Sequence, residues 1–341
     1  MPATTKPMIL VAGKVLYATE EQQELEKKYT FQPIDSKNRE EFFADCKGRF
    51  SEAVALYNNS CPAIGPLNAE LINALPASVK ILAHHGAGYD PIDVHACTKR
   101  GIQLSNTPGA VDHGTATVAM FLIISALRNF WKAQLSLHAG QFKNGCSPAF
   151  QNDVEQKVLG IVGMGGIGRA LVKRALGFDM KIIYHNRKEA DPALLADFPA
   201  GSVVYCSTLD ELLAQADVVS LHVPLNPHTE KLFGKAQFAK MKKGSAIVNT
   251  ARGGVIDEEA LLEALESGHL SSAGLDVFPN EPQVNPKLIA NDRLTLLPHM
   301  GTETRESRRQ MENTVLNNLV AGIEKGKVIN VVPEQADMIK A

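Results

Sequence analysis

A glycine-rich segment, residues 157–168, limits the folds open to this chain more than any other part of its sequence. It reads Lys-Val-Leu-Gly-Ile-Val-Gly-Met-Gly-Gly-Ile-Gly, so an apolar run leads into three glycines spaced as G-x-G-x-x-G. The pattern predicts a strand, a tight turn and a helix, and the segment Met-Lys-Ile-Ile-Tyr at residues 180–184 supplies a second strand at the βαβ distance. Gly163 can take a positive φ, and Gly165 lets a pyrophosphate approach the backbone. Gly168 allows close packing of the predicted helix, Arg169–Leu176. We therefore predict a dinucleotide site at the helix N-terminus, with a purely structural glycine turn as the alternative.

The residues after the second strand predict which dinucleotide binds. A site for NAD places an Asp or Glu about 20 residues beyond the glycines, where it accepts hydrogen bonds from the ribose 2′-hydroxyl. Here the strand is followed by His185, Asn186, Arg187 and Lys188, so the carboxylate is absent and two cations stand in its place. Arg187 and Lys188 would attract a 2′-phosphate, and Asn186 can donate to it. The segment predicts a preference for NADP(H) with weaker use of NAD(H); a basic loop without a ligand is the alternative.

Composition and charge narrow the class of protein. The chain has 341 residues, 45% of them apolar, which suggests about two domains. Its formal net charge of -2 and its scattered cations argue against nucleic-acid binding. Five cysteines without a C-x-x-C pair argue against a disulfide framework or a zinc site and favour a reducing compartment. No leader pattern is present and the longest apolar run, residues 118–127, is too short for a bilayer, so we expect a cytoplasmic protein without membrane contact.

The distribution of apolar runs predicts two α/β domains. Residues 1–108 alternate short apolar runs with helical stretches and carry no Gly-rich phosphate loop. Beyond them the runs are continuous, which is typical of parallel strands buried on both faces. We predict two Rossmann-like doubly wound domains: a discontinuous, flavodoxin-like substrate-binding domain, residues 1–108 and 302–341, and an NAD(P)-binding Rossmann domain, residues 109–301. Residues 131–152 are predicted to be irregular, as an arm around a second subunit or as a surface loop.

A second small-residue turn lies in the first predicted domain, within the segment His-His-Gly-Ala-Gly-Tyr-Asp at residues 84–90. Gly86, Ala87 and Gly88 follow a predicted strand and can expose consecutive backbone amides that hold a carboxylate; a plain glycine turn is the alternative. The two adjacent histidines do not predict a metal site. Neighbours in a strand point to opposite faces, and no further ligand lies at a suitable spacing.

Three strand ends in the second predicted domain combine a reactive side chain with turn residues. Arg252 lies in Asn-Thr-Ala-Arg-Gly-Gly, Glu281 precedes a proline, and His299 lies in Pro-His-Met-Gly. Each alone has an ordinary explanation, as a solvated charge, an exposed carboxylate or one of ten histidines. In open α/β sheets, however, ligands bind outside the carboxyl ends of the strands. Together the three supply the anion clamp, carboxylate and imidazole that a hydride-transfer enzyme needs.

The order of these motifs resembles one family over nearly the whole chain. G-x-G-x-x-G is followed by Val-Pro-Leu at 223, T-A-R-G, Gly-Leu-Asp-Val-Phe at 274, E-P and P-H-M-G. This order is similar to the D-isomer-specific 2-hydroxyacid dehydrogenase family, and Tyr-His-Asn-Arg at 184 looks most like the fungal glyoxylate reductases within it. The resemblance implies that His299 is the general acid/base, Glu281 its hydrogen-bonded partner, and Arg252 the group that binds the substrate carboxylate and polarises the 2-oxo group.

The same resemblance implies two sets of binding residues. The substrate-binding residues would be Gly86, Ala87, Gly88, Arg252 and His299. The cofactor-binding residues would be Gly163, Met164, Gly165, Gly166, Ile167, Gly168, Asn186, Arg187, Lys188, Val223, Pro224, Thr250, Ala251, Asp276 and Gly301, with Asp276 contacting the nicotinamide amide and Val223 and Pro224 forming a wall of the cleft. No metal is implied.

The resemblance predicts an NADPH-dependent reductase that converts a small 2-oxo acid, such as glyoxylate or hydroxypyruvate, to the D-2-hydroxy acid. It also implies a homodimer built on the apolar helix at residues 115–130. One alternative is a non-catalytic, NAD(P)-sensing corepressor-like protein on the same scaffold. Another is a formate-dehydrogenase-like enzyme, in which the partner of the histidine is typically an amide, so Glu281 argues against it. The chain departs from the family at Thr117, where many members have Glu, and at His84 and His85, which are not the usual pair.

Overall fold

The computed structural model describes residues 6–339 and separates them into two compact units. The first unit comprises the described residues up to Val111 and from Thr304 onward, and the second comprises Asp112–Glu303. Both junctions lie a few residues C-terminal to the predicted boundaries at 108 and 301. The reason is local, because a long helix begins at Asp112 and another begins directly after its N-cap, Thr304.

The N-terminal part of the first unit alternates strands and helices. Its elements are β1 (Met8–Ala12), α1 (Thr19–Glu26), β2 (Thr30–Pro33), α2 (Arg39–Lys47), β3 (Ala53–Asn58), α3 (Ala69–Ala74), β4 (Ile81–His84), α4 (Val94–Lys99) and β5 (Gln103–Ser105). The strands are parallel in the order β2-β1-β3-β4-β5, which is the flavodoxin-like doubly wound order. Polar N-caps explain where helices begin: Asn38, Asn68 and Asp93 accept backbone N–H bonds at the starts of α2, α3 and α4.

The second unit is built around a larger parallel sheet. Its elements are α5 (Asp112–Arg128), α6 (Phe130–His138), β6 (Val158–Val162), α7 (Gly166–Leu176), β7 (Lys181–His185), β8 (Val203–Tyr205), α8 (Leu209–Gln215), β9 (Val218–Leu221), α9 (Lys235–Lys240), β10 (Ser245–Asn249), α10 (Glu258–Glu266), β11 (Leu270–Leu275), α11 (Pro286–Ile289) and β12 (Leu294–Leu296). The strand order is β12-β11-β10-β9-β6-β7-β8. Counted from β6, this is the Rossmann order with one further strand. Every residue of β9 and β10 is buried, as the continuous apolar runs predicted.

The last helix, α12 (Arg305–Lys325), belongs to the first unit. It begins at the Thr304 cap and ends at Gly326, whose φ is 72°. Val315, Leu316 and Leu319 of α12 pack into the core with β1, β3 and β4. The predicted fold class, two doubly wound α/β domains of which the first is discontinuous, is therefore confirmed.

Two local predictions are wrong. Residues 131–152 were expected to be irregular, but α6 occupies residues 130–138, because no glycine or proline interrupts this stretch before Gly140. The helix after the glycine turn begins at Gly166, whereas the sequence suggested residue 169. Gly165 is extended, with φ -77° and ψ -161°, and caps a helix whose first turn contains the third glycine.

Two further observations concern membranes and metals. Across residues 6–339, no single helix is long and apolar enough to span a membrane; only the pair α5 and α6, bent by 72°, reaches that length and composition together. In the same part of the chain, no three His, Cys, Asp or Glu side chains are grouped so that they could hold a metal ion. All five cysteines are free thiols.

Candidate active site

The glycine turn between β6 and α7 leaves open space beside one of its glycines. Gly163 has a φ of 102°, and a Cβ there would lie 2.6 Å from the carbonyl oxygen of His222. A Cβ on Gly168 would collide with the carbonyl oxygen of Gly163, so this glycine permits close approach of helix and turn. A Cβ on Gly165, in contrast, would meet nothing within 4 Å. Packing of the protein thus explains Gly163 and Gly168, whereas Gly165 leaves open space beside the helix N-terminus.

The remaining residues of the turn are held by contacts within the second unit. The carboxylate of Asp112 occupies the place that a Cβ of Gly166 would take. Met164 is buried, and Ile167 packs against the core that α5 shares with the sheet. Packing within the second unit therefore holds the turn in this conformation.

The loop after β7 is fixed at Asn186 and exposed at the two cations. The side-chain oxygen of Asn186 accepts the backbone N–H of Met164 at 2.8 Å. The Tyr205 hydroxyl donates to the Asn186 carbonyl oxygen at 3.2 Å, and the His185 ring stacks on Tyr205 at an interplanar angle of 9°. Because its oxygen is engaged, Asn186 presents its amide N–H₂ group for a ligand. Neither Arg187 nor Lys188, both exposed, makes a hydrogen bond or ion pair within residues 6–339.

The segments after β9 and β10 carry the other predicted cofactor residues. Val223 is half-buried and Pro224 is exposed directly after β9. After β10, the hydroxyl oxygen of Thr250 is buried and has no hydrogen-bond partner in the described structure. The backbone N–H of Ala251 donates to the side-chain oxygen of Asn249 at 3.0 Å. A buried hydroxyl without a partner is unusual, and it marks Thr250 as a donor or acceptor available to a bound molecule.

Asn249 braces the turn that presents Arg252. Besides accepting the Ala251 N–H, its side-chain nitrogen donates to the Arg252 carbonyl oxygen at 2.8 Å. Arg252 itself is half-buried, and its guanidinium donates to the Ala251 carbonyl oxygen at 2.8 Å. The next residue, Gly253, lies so close to the backbone of Phe278 that a Cβ could not fit between them. This contact brings the Arg252 turn against the loop that carries Glu281.

His299 and Glu281 form a direct pair. Nδ1 of His299 lies 2.8 Å from Oε2 of Glu281, whose other oxygen accepts the backbone N–H of Phe278 at 2.9 Å. The carboxylate can only accept, so the imidazole donates from Nδ1 and leaves Nε2 for a ligand. The side chains are 46% and 36% exposed, so the pair is accessible to a small molecule.

Asp276 holds the backbone of the His299 loop. His299 has a left-handed φ of 57°, and its backbone N–H donates to the Asp276 carbonyl oxygen at 2.8 Å. The N–H groups of Met300 and Gly301 donate to the two carboxylate oxygens of Asp276, at 2.6 and 2.9 Å. Burial raises the pKa of Asp276 above its usual value, and these backbone bonds partly oppose that change. In the structure, Asp276 therefore positions the histidine, a role that its motif alone did not indicate.

The small-residue turn of the first unit follows β4. Gly86, Ala87 and Gly88 lie between His85 and Tyr89, and each of their carbonyl oxygens accepts a hydrogen bond from this unit. His85 is buried, and burial lowers its pKa to about 4, so the ring is neutral near pH 7. The turn is thus a well-anchored loop and not a mobile glycine connection.

The departure at Thr117 has a structural explanation. The Thr117 hydroxyl donates to the His113 carbonyl oxygen at 2.9 Å and accepts from Nε of Arg174 at 3.1 Å. Arg174 also donates to the His113 carbonyl oxygen, at 3.0 Å. Thr117 therefore links α5 to α7, the helix that follows the glycine turn.

Comparisons with known proteins found similar sequences and structures. Residues 120–301 match the family model described as "D-isomer specific 2-hydroxyacid dehydrogenase, NAD binding domain". The chain is 47% identical to 4-methyl-2-oxopentanoate reductase A of Aspergillus oryzae, over 97% of this chain and 99% of that protein. It is 39% identical to glyoxylate reductase 1 of Saccharomyces cerevisiae, over 96% and 95%. Among solved structures, a glyoxylate reductase from Paecilomyes thermophila matches with a TM-score of 0.91 and 46% identity, covering 98% of this chain and 100% of that one.

Proposed function

This chain belongs to the D-isomer-specific 2-hydroxyacid dehydrogenase family, and we propose that it is an NADPH-dependent reductase of a small 2-oxo acid. The product would be the D-2-hydroxy acid, with His299 as the proton donor. The observation that carries the proposal is the contact of 2.8 Å between His299 and Glu281. The turn of Arg252 lies against the loop that carries Glu281, because Gly253 packs on the backbone of that loop. A hydrogen-bonded imidazole with one exposed nitrogen is suited to moving a proton.

The proposed chemistry assigns one task to each of these groups. Hydride from the bound nicotinamide would reduce the 2-oxo carbon. The carbonyl oxygen becomes an alkoxide that must be protonated, and Nε2 of His299 would supply the proton. Glu281 accepts from Nδ1, so it holds the ring in position and leaves Nε2 for the substrate. The planar guanidinium of Arg252 would bind the carboxylate and polarise the 2-oxo group.

The second unit has groups suited to NADP(H). Open space at Gly165 beside the N-terminus of α7 suits a pyrophosphate, and the buried hydroxyl of Thr250 lacks a partner in the described structure. The amide of Asn186 with the exposed Arg187 and Lys188 suits a 2′-phosphate. The other residues to which we assign cofactor binding are Gly163, Met164, Gly166, Ile167, Gly168, Val223, Pro224, Ala251, Asp276 and Gly301.

We propose that the amides of the Gly86–Gly88 turn bind the substrate carboxylate. The relatives are named for glyoxylate and for 4-methyl-2-oxopentanoate, so both acids are candidates. The direct test follows absorbance at 340 nm with NADPH or NADH and a panel of glyoxylate, hydroxypyruvate and 4-methyl-2-oxopentanoate. We expect turnover with NADPH and at least one acid. Absence of turnover with every pair of acid and cofactor would refute the proposal.

The role proposed for Arg252 predicts that Arg252→Lys damages catalysis although it keeps the charge. Lysine offers a point charge where the acid would meet a planar fork, so we expect kcat/KM for the 2-oxo acid to fall by about tenfold or more. The Kd for NADPH, measured by fluorescence titration, should stay near that of the unmodified protein. Equal losses in kcat/KM for the 2-oxo acid and in affinity for NADPH would place Arg252 at the cofactor instead.

We propose a homodimer in which a second copy covers the apolar surface of α5, α6 and the following loop. Phe121 and Phe142 are 50% and 73% exposed, and Phe130, Leu135 and Leu137 are also exposed. All five large apolar side chains lie within residues 121–142, and exposed apolar area of this kind is typical of an interaction surface. Sedimentation velocity at micromolar concentration should give a dimer, and sedimentation as a monomer would contradict this assignment.

A further inference from the structure

Two carbonyl oxygens of the Gly86–Gly88 turn are held by the chain that follows β5. The Gly86 carbonyl oxygen accepts the backbone N–H of Thr107 at 3.0 Å. The Ala87 carbonyl oxygen accepts from the side-chain nitrogen of Asn106 at 2.7 Å. These bonds fix the first two peptide planes of the turn.

The third carbonyl oxygen is held by a histidine side chain. Nε2 of His84 lies 3.0 Å from the carbonyl oxygen of Gly88, and Nδ1 lies 2.9 Å from the side-chain nitrogen of Asn58. A carbonyl oxygen can only accept, so Nε2 carries the proton and donates it. Asn58 is 7% exposed and lies opposite His84 in the register of β3 and β4, so the ring is held from a rigid strand. A Cβ on Gly86 would lie 2.7 Å from Nε2, so glycine is needed there to admit the ring.

These three bonds determine where the amides of the turn point. In a trans peptide the N–H is directed opposite to the C=O of the same plane. The N–H groups of Ala87, Gly88 and Tyr89 therefore point away from the partners of the three carbonyl oxygens. Across residues 6–339 none of the three N–H groups donates to a protein acceptor. The turn therefore has three consecutive amides without a protein acceptor in the described residues, and consecutive amides of this kind can bind an anion.

We propose that His84 is a positioning residue for substrate binding: by holding the Gly88 carbonyl oxygen, it orients the Tyr89 N–H and completes the set of amides that receives the carboxylate. This inference rests on the proposed function, since it requires the turn to bind a 2-oxo acid. His84 itself touches neither the substrate nor the cofactor in this role. Because it acts on the carboxylate alone, its contribution is the same for every acid, whatever the side chain.

A pair of substitutions separates this role from a general effect on folding. The terminal nitrogen of glutamine reaches about as far as Nε2 of histidine, so His84→Gln can still donate to Gly88, whereas the shorter His84→Asn cannot. Loss of one hydrogen bond that orders a binding group predicts a KM for the 2-oxo acid about tenfold higher in His84→Asn. The increase should be equal for glyoxylate, hydroxypyruvate and 4-methyl-2-oxopentanoate. We expect kcat and the Kd for NADPH to be unchanged, and His84→Gln to restore most of the KM.

The control is His95→Asn, which changes an exposed histidine of α4 in the same unit. His95→Asn should leave kcat, the KM for each acid and the Kd for NADPH unchanged. Calorimetric titration with oxalate, a dicarboxylate of the size of glyoxylate, repeats the comparison without turnover and should show the same loss of affinity in His84→Asn. An active enzyme whose KM values and oxalate affinity are unaffected by His84→Asn would overturn the inference while leaving the proposed function intact. Equal damage in His84→Gln and His84→Asn, or loss confined to one acid, would also overturn it.

Discussion

His299→Ala is expected to lower kcat by a factor of about 10² to 10⁴, the usual contribution of a general acid. The physical reason is that the alkoxide formed on reduction would have to take its proton from water in place of Nε2. The structure makes the expectation specific, since Nδ1 is engaged by Glu281 at 2.8 Å and Nε2 is the nitrogen that remains. Steady-state kinetics with saturating NADPH and the best acid of the panel measure the effect, and fluorescence titration should show NADPH binding near that of the unmodified protein.

Three companion variants make this result interpretable. Glu281→Gln keeps a hydrogen-bond acceptor for Nδ1 but removes the negative charge, so it should lose less activity than His299→Ala. Combining the two changes should cost little more than His299→Ala alone, because Glu281 acts through the ring and the ring is gone. His228→Ala, at an exposed histidine in the same unit, is the control and should be neutral. A His299→Ala enzyme with undiminished kcat would exclude His299 as the proton donor.

The architecture of both units was predictable because burial on two faces leaves a strong pattern in the sequence. Strands such as β9 and β10 are runs of mostly apolar residues, and every residue in them is buried, as such runs predict. The helix α6 was missed because its prediction depended on the neighbouring glycines, although residues 130–138 contain no helix breaker. The start of α7 was misplaced because a glycine in the first turn of a helix resembles a loop in sequence. The first error concerns the existence of a helix, and the second concerns a helix boundary, which sequence patterns locate least well.

The sequence motifs indicated the reactive side chains of the candidate site and not the groups that hold them in place. Arg252, Glu281 and His299 stand beside turn residues at strand ends, which is a visible signal. Asn249 and Asp276 hold the loops of Arg252 and His299 through hydrogen bonds to their backbone, up to 25 residues away. No regular sequence spacing predicts such bonds. A polar residue at the last position of a buried strand is the one signal that could have identified Asn249. His84 was noticed only as a departure from the family, and its contact with Asn58 joins residues separated by 26 positions.

The second large effect is expected for cofactor choice. Arg187 is exposed and has no partner in the described part of the chain, so it is available to pair with a 2′-phosphate. A charge-assisted hydrogen bond contributes roughly 1.5–3 kcal/mol, which corresponds to about 10–150-fold in affinity. Arg187→Ala should therefore raise the KM for NADPH by about 10–150-fold and leave that for NADH nearly unchanged, because NADH lacks the phosphate. Lys181→Ala removes an exposed cation at the other end of β7 and is the matched control. It should leave the KM for NADPH and the KM for NADH unchanged.

Asn186 offers a sharper test of the same loop because its two amide atoms have separate tasks. Its oxygen accepts the Met164 N–H and fixes the loop to the glycine turn, and its nitrogen would donate to a 2′-phosphate. Asn186→Asp keeps an acceptor for Met164 and replaces the donor by a second acceptor, which suits a ribose 2′-hydroxyl and repels a 2′-phosphate. Combined with Arg187→Ala, it should reverse the preference towards NADH. Asn186→Ala, which loses the hydrogen bond to Met164, should instead weaken the binding of both cofactors. If the unmodified enzyme uses NADH with equal or higher kcat/KM than NADPH, the loop does not select for the phosphate and this assignment of Arg187 is wrong.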